Sequence, residues 1–330
     1  MIETLLHGGA LDRMRAMFPN APRPWVDLST GINPWPYPFT EISPAAYSHL
    51  PTEREWLACR DAMAEAIGTP PSSLRLSPGS ELLIRLLPAL IAPGRVAVQS
   101  PTYGDHARVW QAAGCEVIEA QNPLHEADRV DAVIVCNPNN PDGHVFDTEA
   151  LELARKRLAA HGGWLIVDEA YADLAPMHSL APAGGADHLI ILRSFGKFYG
   201  LAGIRLGGLI GPESILRKAS EYLGVWPVSG PALSIGTEAY MDLHWQKATR
   251  HKLRTARQRL DALLTHAGLN IVGGCDLFRL VETEDAGRLW QSLAESGIYI
   301  RRFEWSDQLL RFGLPSSREA EQRLKDALSL

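Results

Sequence analysis

Lys197 lies in a stretch of small residues with two other side chains at informative spacings. Ser194 lies three residues before it, and Arg205 lies eight residues after it. A lysine amine condenses with an aldehyde to give a Schiff base, whereas a serine hydroxyl and a planar arginine fork both suit a phosphate. An aldehyde and a phosphate on one small molecule describe pyridoxal 5′-phosphate (PLP), which is the predicted cofactor.

Three more polar side chains are typical of a site for a pyridine ring. Asp168 ends an apolar run that we predict to be a strand, and Tyr171 follows three residues later. A carboxylate that faces the pyridine nitrogen keeps it protonated, so that the ring accepts electrons from the substrate. Tyr171, and Asn140 in the turn 137–143, are predicted to reach the phenolic oxygen of the ring. A helix cap beside a core tyrosine is the alternative for Asp168 and Tyr171, and the presence of Lys197 disfavours it.

Weaker candidates for the cofactor's phosphate and ring lie upstream. Gly79 and Ser80 precede an apolar helical pattern. Backbone N–H groups and a hydroxyl at a helix N-terminus favour phosphate, although a plain serine cap in a proline turn has the same sequence. Tyr103 follows a predicted strand, and its ring suits stacking on a flat cofactor. A core tyrosine that opens a helix is an equally good interpretation of Tyr103.

Two arginines near the C-terminus are candidates for binding a substrate anion. Arg311 lies within the apolar run Leu-Leu-Arg-Phe, where a charge is costly unless it is paired. A substrate carboxylate gripped by the guanidinium fork is one interpretation, and an internal Asp or Glu partner is the other. Arg301, at the end of Ile-Tyr-Ile, is a weaker candidate of the same type.

These residues require a sheet that positions them. Apolar strand patterns alternate with helical patterns, with predicted strands at 95–99, 116–118, 131–136, 164–167, 189–192 and 206–210 and helices at 103–113 and 148–160. Unbroken apolar strands between helices predict an α/β fold with a mostly parallel sheet covered on both faces. Ligands of such sheets lie beyond the carboxyl ends of the strands, where Asn140, Asp168 and Lys197 fall.

The chain divides into three predicted parts. Residues 1–40 are rich in proline and glycine and are predicted to form an extended arm. Residues 41–230 are predicted to form the large PLP-binding domain, and residues 231–330 a small α/β domain that begins with one long helix, straight or kinked, at 232–266. The small domain is further predicted to hold strands at 270–272, 277–281, 298–301 and 309–312 and helices at 286–296 and 318–328.

Composition excludes several classes of protein. The 330 residues are 46% apolar with a net charge of −6, so no strong basic field is present to bind nucleic acid. The four cysteines form no CxxC pair, which disfavours disulfide staples and a zinc site and fits the cytoplasm. The start of the sequence lacks a signal peptide pattern, and the apolar run 82–91 is too short to span a membrane. Nucleotide-loop, HExxH and GxSxG motifs are absent, and no metal is predicted.

Taken together, these residues resemble the fold-type I PLP enzymes, the aspartate aminotransferase superfamily, over nearly the whole chain. In that superfamily the Schiff-base lysine, the arginine eight residues later, the Asp-x-x-Tyr pair and the Asn-Pro turn recur. The resemblance implies a PLP-dependent transferase fold with a seven-stranded sheet, and a homodimer. It also implies a set of roles: Lys197 for the aldehyde, Gly79, Ser80, Ser194 and Arg205 for the phosphate, Asp168 for the pyridine nitrogen, Tyr171 and Asn140 for the phenolic oxygen, Tyr103 for the ring face, and Arg311 for the substrate carboxylate.

The N-terminal segment narrows the resemblance. His7-Gly8-Gly9 and the later run Asp27-Leu-Ser-Thr-Gly-Ile-Asn33-Pro are similar to the threonine-phosphate decarboxylases of cobalamin biosynthesis, relatives of the histidinol-phosphate aminotransferases. The resemblance implies that His7-Gly8-Gly9, here called the glycine arm, binds the substrate's phosphate through backbone N–H groups. It also implies that Asn33 helps to hold the substrate's carboxylate. One departure is Leu50 before Pro51, where relatives commonly have a tyrosine that reaches the cofactor phosphate of the other subunit.

The implied activity is decarboxylation of L-threonine O-3-phosphate to (R)-1-amino-2-propanol phosphate. An aminotransferase that acts on histidinol phosphate or a similar amino-phosphate stays open, because the same residues serve both reactions. A PLP protein without catalysis is a third hypothesis, which the presence of both Lys197 and Asp168 disfavours.

Overall fold

The computed structural model describes residues 8–329 of the chain. Its strands are β1 (Val26–Leu28), β2 (Leu74–Ser77), β3 (Arg95–Gln99), β4 (Glu116–Ala120), β5 (Ala132–Cys136), β6 (Trp164–Asp168), β7 (Leu189–Ser194), β8 (Gly207–Ile210), β9 (Asn270–Cys275), β10 (Phe278–Glu282), β11 (Ile298–Phe303) and β12 (Ser306–Gly313). Its α-helices are α1 (Leu11–Met17), α2 (Ala45–Ser48), α3 (Glu53–Ile67), α4 (Ser80–Ile91), α5 (Asp105–Ala112), α6 (Thr148–Ala159), α7 (Glu213–Leu223), α8 (Gly230–Met241), α9 (Leu243–His266), α10 (Ala286–Glu295) and α11 (Arg318–Leu328). The chain forms two units: one is residues 36–246, and the other joins the chain up to Trp35 with the chain from Lys247 onward.

Residues 36–246 contain a seven-stranded sheet with the order β2-β8-β7-β6-β5-β3-β4. The neighbours from β7 to β4 are parallel, whereas β8 runs antiparallel to both β7 and β2. Strands β5 and β7 are buried along their whole length, a pattern that requires cover on both faces of the sheet. The predicted α/β class and mostly parallel sheet are therefore confirmed.

The register of the parallel strands brings three polar segments to one edge. Asp168 at the end of β6 is the Cα partner of Cys136 on β5 and of Leu192 on β7. The residues that follow β5, β6 and β7 therefore leave the sheet side by side at the carboxyl edge, where ligands of parallel sheets bind. Helix α4 packs its apolar side chains into the same core as the strands, and each large buried side chain contributes about 1.5–3 kcal/mol.

The predicted long helix at 232–266 is two helices instead of one. Helix α8 ends at Met241, and α9 begins at Leu243. Between them Asp242 leaves the helical conformation, and its carboxylate accepts a hydrogen bond from the backbone N–H of Trp245 at 2.8 Å. Such a side-chain cap competes with continuation of the helix. Among residues 8–329, no helix combines the length and the apolar character that a bilayer crossing requires.

The described residues of the other unit contain a five-stranded sheet with the order β1-β11-β12-β10-β9. Strand β1 adds to its edge parallel to β11. The N-terminal segment is not extended throughout, because α1 forms where no proline interrupts the chain. Met14 of α1 is fully buried and packs with Ala294 and Tyr299, which anchors this segment to its own unit.

Candidate active site

A cavity of about 270 Å³ lies at the carboxyl edge of the seven-stranded sheet. Its lining includes eight of the nine residues that the sequence predicts for the cofactor: Ser80, Tyr103, Asn140, Asp168, Tyr171, Ser194, Lys197 and Arg205. The ninth, Gly79, precedes Ser80 and packs against Arg205. The other lining residues are Glu81, Ile84, Cys136, Pro138 and Ala170. The amine, carboxylate, phenol and guanidinium groups of the prediction thus share one cavity.

The loop that carries Lys197 is closely packed at the wall of the cavity. Gly196 leaves no room for a side chain, since a Cβ there would lie 2.7 Å from the Cα of Ala202. Phe195 and Tyr199 on either side of Lys197 stack with ring centroids 4.3 Å apart and are both fully buried. Lys197 is left with its Nζ 5.9 Å from the centre of the Tyr171 ring. An amine presented from a fixed loop beside a phenol suits attack on a carbonyl.

Asp168 is paired with a histidine that the sequence analysis missed. Its Oδ2 lies 2.9 Å from Nε2 of His106, which is fully buried on α5, and its Oδ1 accepts a hydrogen bond from the N–H of Ala170 at 3.0 Å. Burial disfavours the charged imidazole, but Cys136 and Asp168 outweigh it and raise the pKa of His106 to about 10. The wall of the cavity therefore holds a carboxylate whose buried partner is an imidazole.

Cys136 joins the same buried cluster. One ligand atom from each of His106, Cys136 and Asp168 lies within 4.8 Å of the others, a set of types that a metal ion accepts. The hydroxyl of Thr102 donates to the Cys136 thiol at 3.1 Å. The carboxylate oxygen of Asp168 already has the imidazole as its partner, so the cluster works as a hydrogen-bonded support for the carboxylate.

Arg205 and the start of α4 form a cradle suited to an anion. Arg205 has the left-handed backbone conformation, with φ of 54°, which is uncommon outside glycine. Gly79 has φ of 88°, and a Cβ there would lie 2.7 Å from Nη2 of Arg205. A Cβ at Gly207 would likewise lie 2.9 Å from the backbone N of Ser80. Close packing of glycines thus lets a guanidinium and a helix N-terminus meet, and both attract phosphate.

Tyr103 is fixed in the cavity wall by its hydroxyl. The hydroxyl donates to Glu81 at 2.9 Å and also lies 3.3 Å from Asp105. Burial raises the pKa of Tyr103, and the two carboxylates raise it further, so the phenol stays neutral. Arg85 in turn bridges Glu81 at 2.7 Å and Asp105 at 3.0 Å. These contacts hold a neutral aromatic ring at the edge of the cavity, as stacking on a flat cofactor needs.

Two buried asparagines shape the turn that presents Asn140. Asn137 and Asn139 are both fully buried. Oδ1 of Asn137 accepts from the N–H of Phe146 at 2.9 Å, and the amide of Asn139 donates to Asp142 at 2.7 Å. The side chains of Asn137 and Asn139 are thus engaged by protein partners, as buried polar groups require, and Asn140 is the asparagine that lines the cavity.

The predicted substrate residues within the described chain all belong to the other unit. Arg311 is buried, donates from Nη2 to the carbonyl of Ser29 at 2.8 Å and lies 4.9 Å from the centre of the Phe278 ring. Arg301 on β11 is the direct Cα partner of Arg311 on β12. Two guanidinium groups at one register position are of a type that suits an anion.

Ser29 ties the glycine arm to Arg311, and the sequence analysis missed this link. Its Oγ accepts a hydrogen bond from the N–H of Gly9 at 2.8 Å, while its carbonyl accepts from Arg311. A Cβ at Gly8 would lie 2.5 Å from the same carbonyl oxygen. Asn33 is buried and accepts from the N–H of Trp35 at 2.9 Å. His7, the remaining predicted residue, lies outside the described residues.

The fold and the cavity define the class of protein, and the comparisons agree with it. A sequence model of the aminotransferase class I and II family matches residues 52–325, and the chain belongs to this family. Two relatives are similar over nearly their full length. A threonine-phosphate decarboxylase from Sinorhizobium sp. is 41% identical, with 100% of this chain and 99% of the relative covered. A threonine-phosphate decarboxylase from Pseudomonas aeruginosa is 40% identical, with 98% and 97% covered.

A solved structure supports the fold. The histidinol-phosphate aminotransferase from Sinorhizobium meliloti, solved in complex with pyridoxal-5′-phosphate, has a TM-score of 0.82 to this chain. The alignment covers 99% of this chain and 98% of that one at 18% identity. At this identity the likeness is one of fold.

Proposed function

We propose that this protein binds PLP and decarboxylates L-threonine O-3-phosphate to (R)-1-amino-2-propanol phosphate, for cobalamin biosynthesis. The observation that carries the proposal is the single cavity lined by Lys197, Asp168 and Arg205. Identity of about 40% to two threonine-phosphate decarboxylases over nearly the whole chain supports the choice of substrate.

The residues of the cavity fit the chemical groups of PLP. Lys197 supplies the amine for the aldehyde, and Asp168 supplies an anion for the pyridine nitrogen. Arg205 and the N-terminus of α4 supply the cradle for the phosphate, in which Gly79 leaves no space for a side chain. Ser194 adds a hydroxyl to the cradle. Tyr103 holds the ring face, and Tyr171 and Asn140 hold the phenolic oxygen in this proposal.

When bound, PLP supplies an electron-accepting ring that stabilises negative charge at the substrate's α-carbon. Asp168 favours the protonated form of the pyridine nitrogen, and His106 is the buried hydrogen-bond partner of its carboxylate. Lys197 would hold the aldehyde of the cofactor before substrate binds, and its amine would deliver a proton to the α-carbon of the substrate. The substrate supplies the carboxylate that leaves as CO2.

The substrate carries a carboxylate and a phosphate, and the predicted binding residues are suited to two anions. Arg311 and its cross-strand partner Arg301 bring two positive charges together on one sheet. We assign Arg311 to the carboxylate together with Asn33, and the backbone of Gly8 and Gly9, with His7, to the phosphate. Holding the carboxylate in a fixed orientation selects loss of CO2 over loss of the α-proton, since positioning decides which bond breaks.

One assay tests the proposal. The purified protein, loaded with PLP, is incubated with L-threonine O-3-phosphate and with histidinol phosphate, and the products are identified by mass. We expect CO2 and 1-amino-2-propanol phosphate without any added keto acid. Strict dependence on 2-oxoglutarate would overturn the proposal in favour of an aminotransferase, which family membership supports as the second candidate.

We also propose a cytoplasmic homodimer with no nucleic-acid partner. An apolar groove in residues 36–246 is lined by large hydrophobic side chains that are exposed to solvent, among them Phe39, Tyr47, Leu50 and Trp226. Leu50, which replaces the tyrosine typical of relatives, is 64% exposed. The cysteines are free in the structure, as the cytoplasm favours. Sizing with light scattering tests the dimer, and an active monomer would contradict it.

A further inference from the structure

A buried ionic cluster lies next to the cofactor residues in the sequence without lining the cavity. It consists of Arg193, Glu169 and Asp173, which are 3%, 0% and 6% exposed. Glu169 directly follows Asp168, Asp173 lies two residues after Tyr171, and Arg193 directly precedes Ser194. We call these three residues the Arg193 cluster. None of them belongs to the lining of the cavity.

Arg193 joins the two segments that carry the proposed catalytic groups. Its Nη1 donates to Oε2 of Glu169 at 2.9 Å, and its Nη2 donates to Oδ1 of Asp173. One planar fork therefore grips two points on the chain that leaves β6, while its own backbone leads from β7 into the Lys197 loop. A lysine has a single ammonium group and cannot reproduce this geometry.

Glu169 extends the connection to a third segment. Its Oε2 also accepts a hydrogen bond from the hydroxyl of Ser179 at 2.5 Å, and its Oε1 accepts from the N–H of Leu180 at 2.6 Å. Its backbone N–H donates to the carbonyl of Leu192 on β7 at 2.9 Å. The carboxylate is therefore fully engaged, as a buried charge requires, and the residue beside Asp168 has little freedom to move.

The composition of the cluster argues for a role beyond stability. Two carboxylates face one guanidinium, with all three groups buried. Burial raises the pKa of Glu169, and Arg193 opposes this effect. Replacement of such a buried ionic cluster by apolar residues is often neutral or stabilising. Burying these charged groups costs desolvation free energy. Because the cluster nevertheless lies between the two segments that carry Asp168 and Lys197, it suits a role in positioning them.

We propose, on the basis of the proposed function, that Arg193 is a positioning residue for the proposed active site. Through Glu169 and Asp173 it fixes the positions of Asp168 and Tyr171 relative to Lys197. One cofactor can then contact Asp168 with its pyridine nitrogen and Lys197 with its aldehyde at the same time. It touches neither substrate nor cofactor. Displacements of about 1 Å caused by a change outside the reacting groups lower rates on the order of 100-fold.

The test compares Arg193→Lys with a matched control, Arg155→Lys. Arg155 also grips a carboxylate with its fork, that of Glu152 at 2.6 and 2.7 Å, and donates to the carbonyl of Asp187, but it does not line the cavity. Each protein is loaded with PLP, and its visible absorption is titrated with pH in the absence of substrate. We expect the pH at the midpoint of this titration to differ from the parent's value in Arg193→Lys and to equal it in Arg155→Lys.

Kinetics with threonine phosphate provide the second measurement. We expect kcat of Arg193→Lys to fall about 10- to 100-fold, with KM within about threefold of the parent. An unchanged midpoint in a folded Arg193→Lys protein, or an equal shift in Arg155→Lys, would overturn the inference. If Arg193→Lys does not fold, Glu169→Gln, which keeps a hydrogen-bonding side chain, takes its place with the same criteria.

The design separates this inference from the proposed function. The absorption titration needs PLP but no substrate. A parent protein that binds PLP and does not decarboxylate threonine phosphate refutes the proposed function, while the midpoint of the variant still decides the role of Arg193. A parent protein that does not bind PLP overturns both.

Discussion

Two regions of the molecule differ in the signs of their neighbouring charged side chains. One is the carboxyl edge of the seven-stranded sheet, and the other is the β11–β12 pair. At the sheet edge the buried carboxylates have cations as partners: Asp168 has His106, and Glu169 has Arg193. On β11 and β12, Arg301 and Arg311 share one register position with the same sign of charge. The first region pairs acidic with basic side chains, whereas the second places two basic side chains at one position of the sheet, where we propose that an anionic substrate binds. The structure thus separates a preorganised cofactor site from residues suited to recognising an anion.

The largest expected effect concerns the preorganised region. Lys197→Ala removes the amine that binds the aldehyde and delivers the proton, so we expect kcat to fall on the order of 10⁴-fold, with the fold intact. Lys156→Ala serves as the control, because Lys156 is exposed on α6. Steady-state decarboxylation measures the effect. Parental turnover by a folded Lys197→Ala protein would refute the catalytic assignment.

The arginine pair is tested through binding of the substrate. Arg311→Lys loses the planar fork but keeps the charge, so we expect KM for threonine phosphate to rise about 10- to 100-fold. Arg302→Lys is the matched control, since Arg302 is the next residue along β11 and is half exposed.

Acetate, a carboxylate that carries no phosphate group, sharpens the same prediction. An anion that binds the folded state raises its Tm, and we expect a larger rise in the parent than in Arg311→Lys. Equal rises in both proteins would mean that Arg311 does not recognise the anion.

Gly79→Ala tests the phosphate cradle. The residue has φ of 88°, and its new Cβ would lie 2.7 Å from Nη2 of Arg205. We expect PLP affinity to fall about tenfold, because the guanidinium must move away, and the free energy of unfolding to fall by about 1 kcal/mol or more. Gly203→Ala is the control, since a Cβ at Gly203 meets no atom within 4 Å. PLP titration of the apoprotein measures the affinity, and equal affinities in the two variants would rule out the cradle.

The smallest expected effect is a dependence of stability on pH. Burial opposes the charge on His106, but Cys136 and Asp168 raise its pKa from 6.5 to about 10. A pKa raised in the folded state gives stability that is fully present below pH 6.5 and is lost as the pH rises towards 10. His106→Gln removes this contribution, so we expect its free energy of unfolding to change less over that interval than the parent's. Parallel curves in denaturant titrations at several pH values would contradict the charged pair.

The sequence predicts the sheet-edge residues because a simple rule applies to them. Asp168 ends an unbroken apolar strand, Ser194 follows the apolar run 189–192 by two residues, and the carboxyl ends of parallel strands meet at one edge. The strand bounds of β3 were predicted to the residue, and those of β4 to β7 within about two residues. Apolar runs bounded by polar turns are therefore enough to predict this part of the fold from the sequence.

The missed residues depend on partners that lie far apart in the chain. His106 meets Asp168 across 62 positions, and nothing local distinguishes it from an ordinary helix residue. Arg193 directly follows the predicted strand 189–192, and its partners Glu169 and Asp173 lie 24 and 20 positions away in the sequence. The break at Asp242 depends on a single hydrogen bond to Trp245 that competes with the helix. Such features require the three-dimensional register of the chain.

The central claim is that Lys197 carries the cofactor in the cavity at the sheet edge, and covalent trapping tests it most directly. The protein is incubated with PLP, reduced with borohydride and digested, and the modified peptide is identified by mass spectrometry. The account predicts a single pyridoxyl phosphate group on Lys197. Modification of another lysine with Lys197 left free, or no specific modification at all, would contradict it.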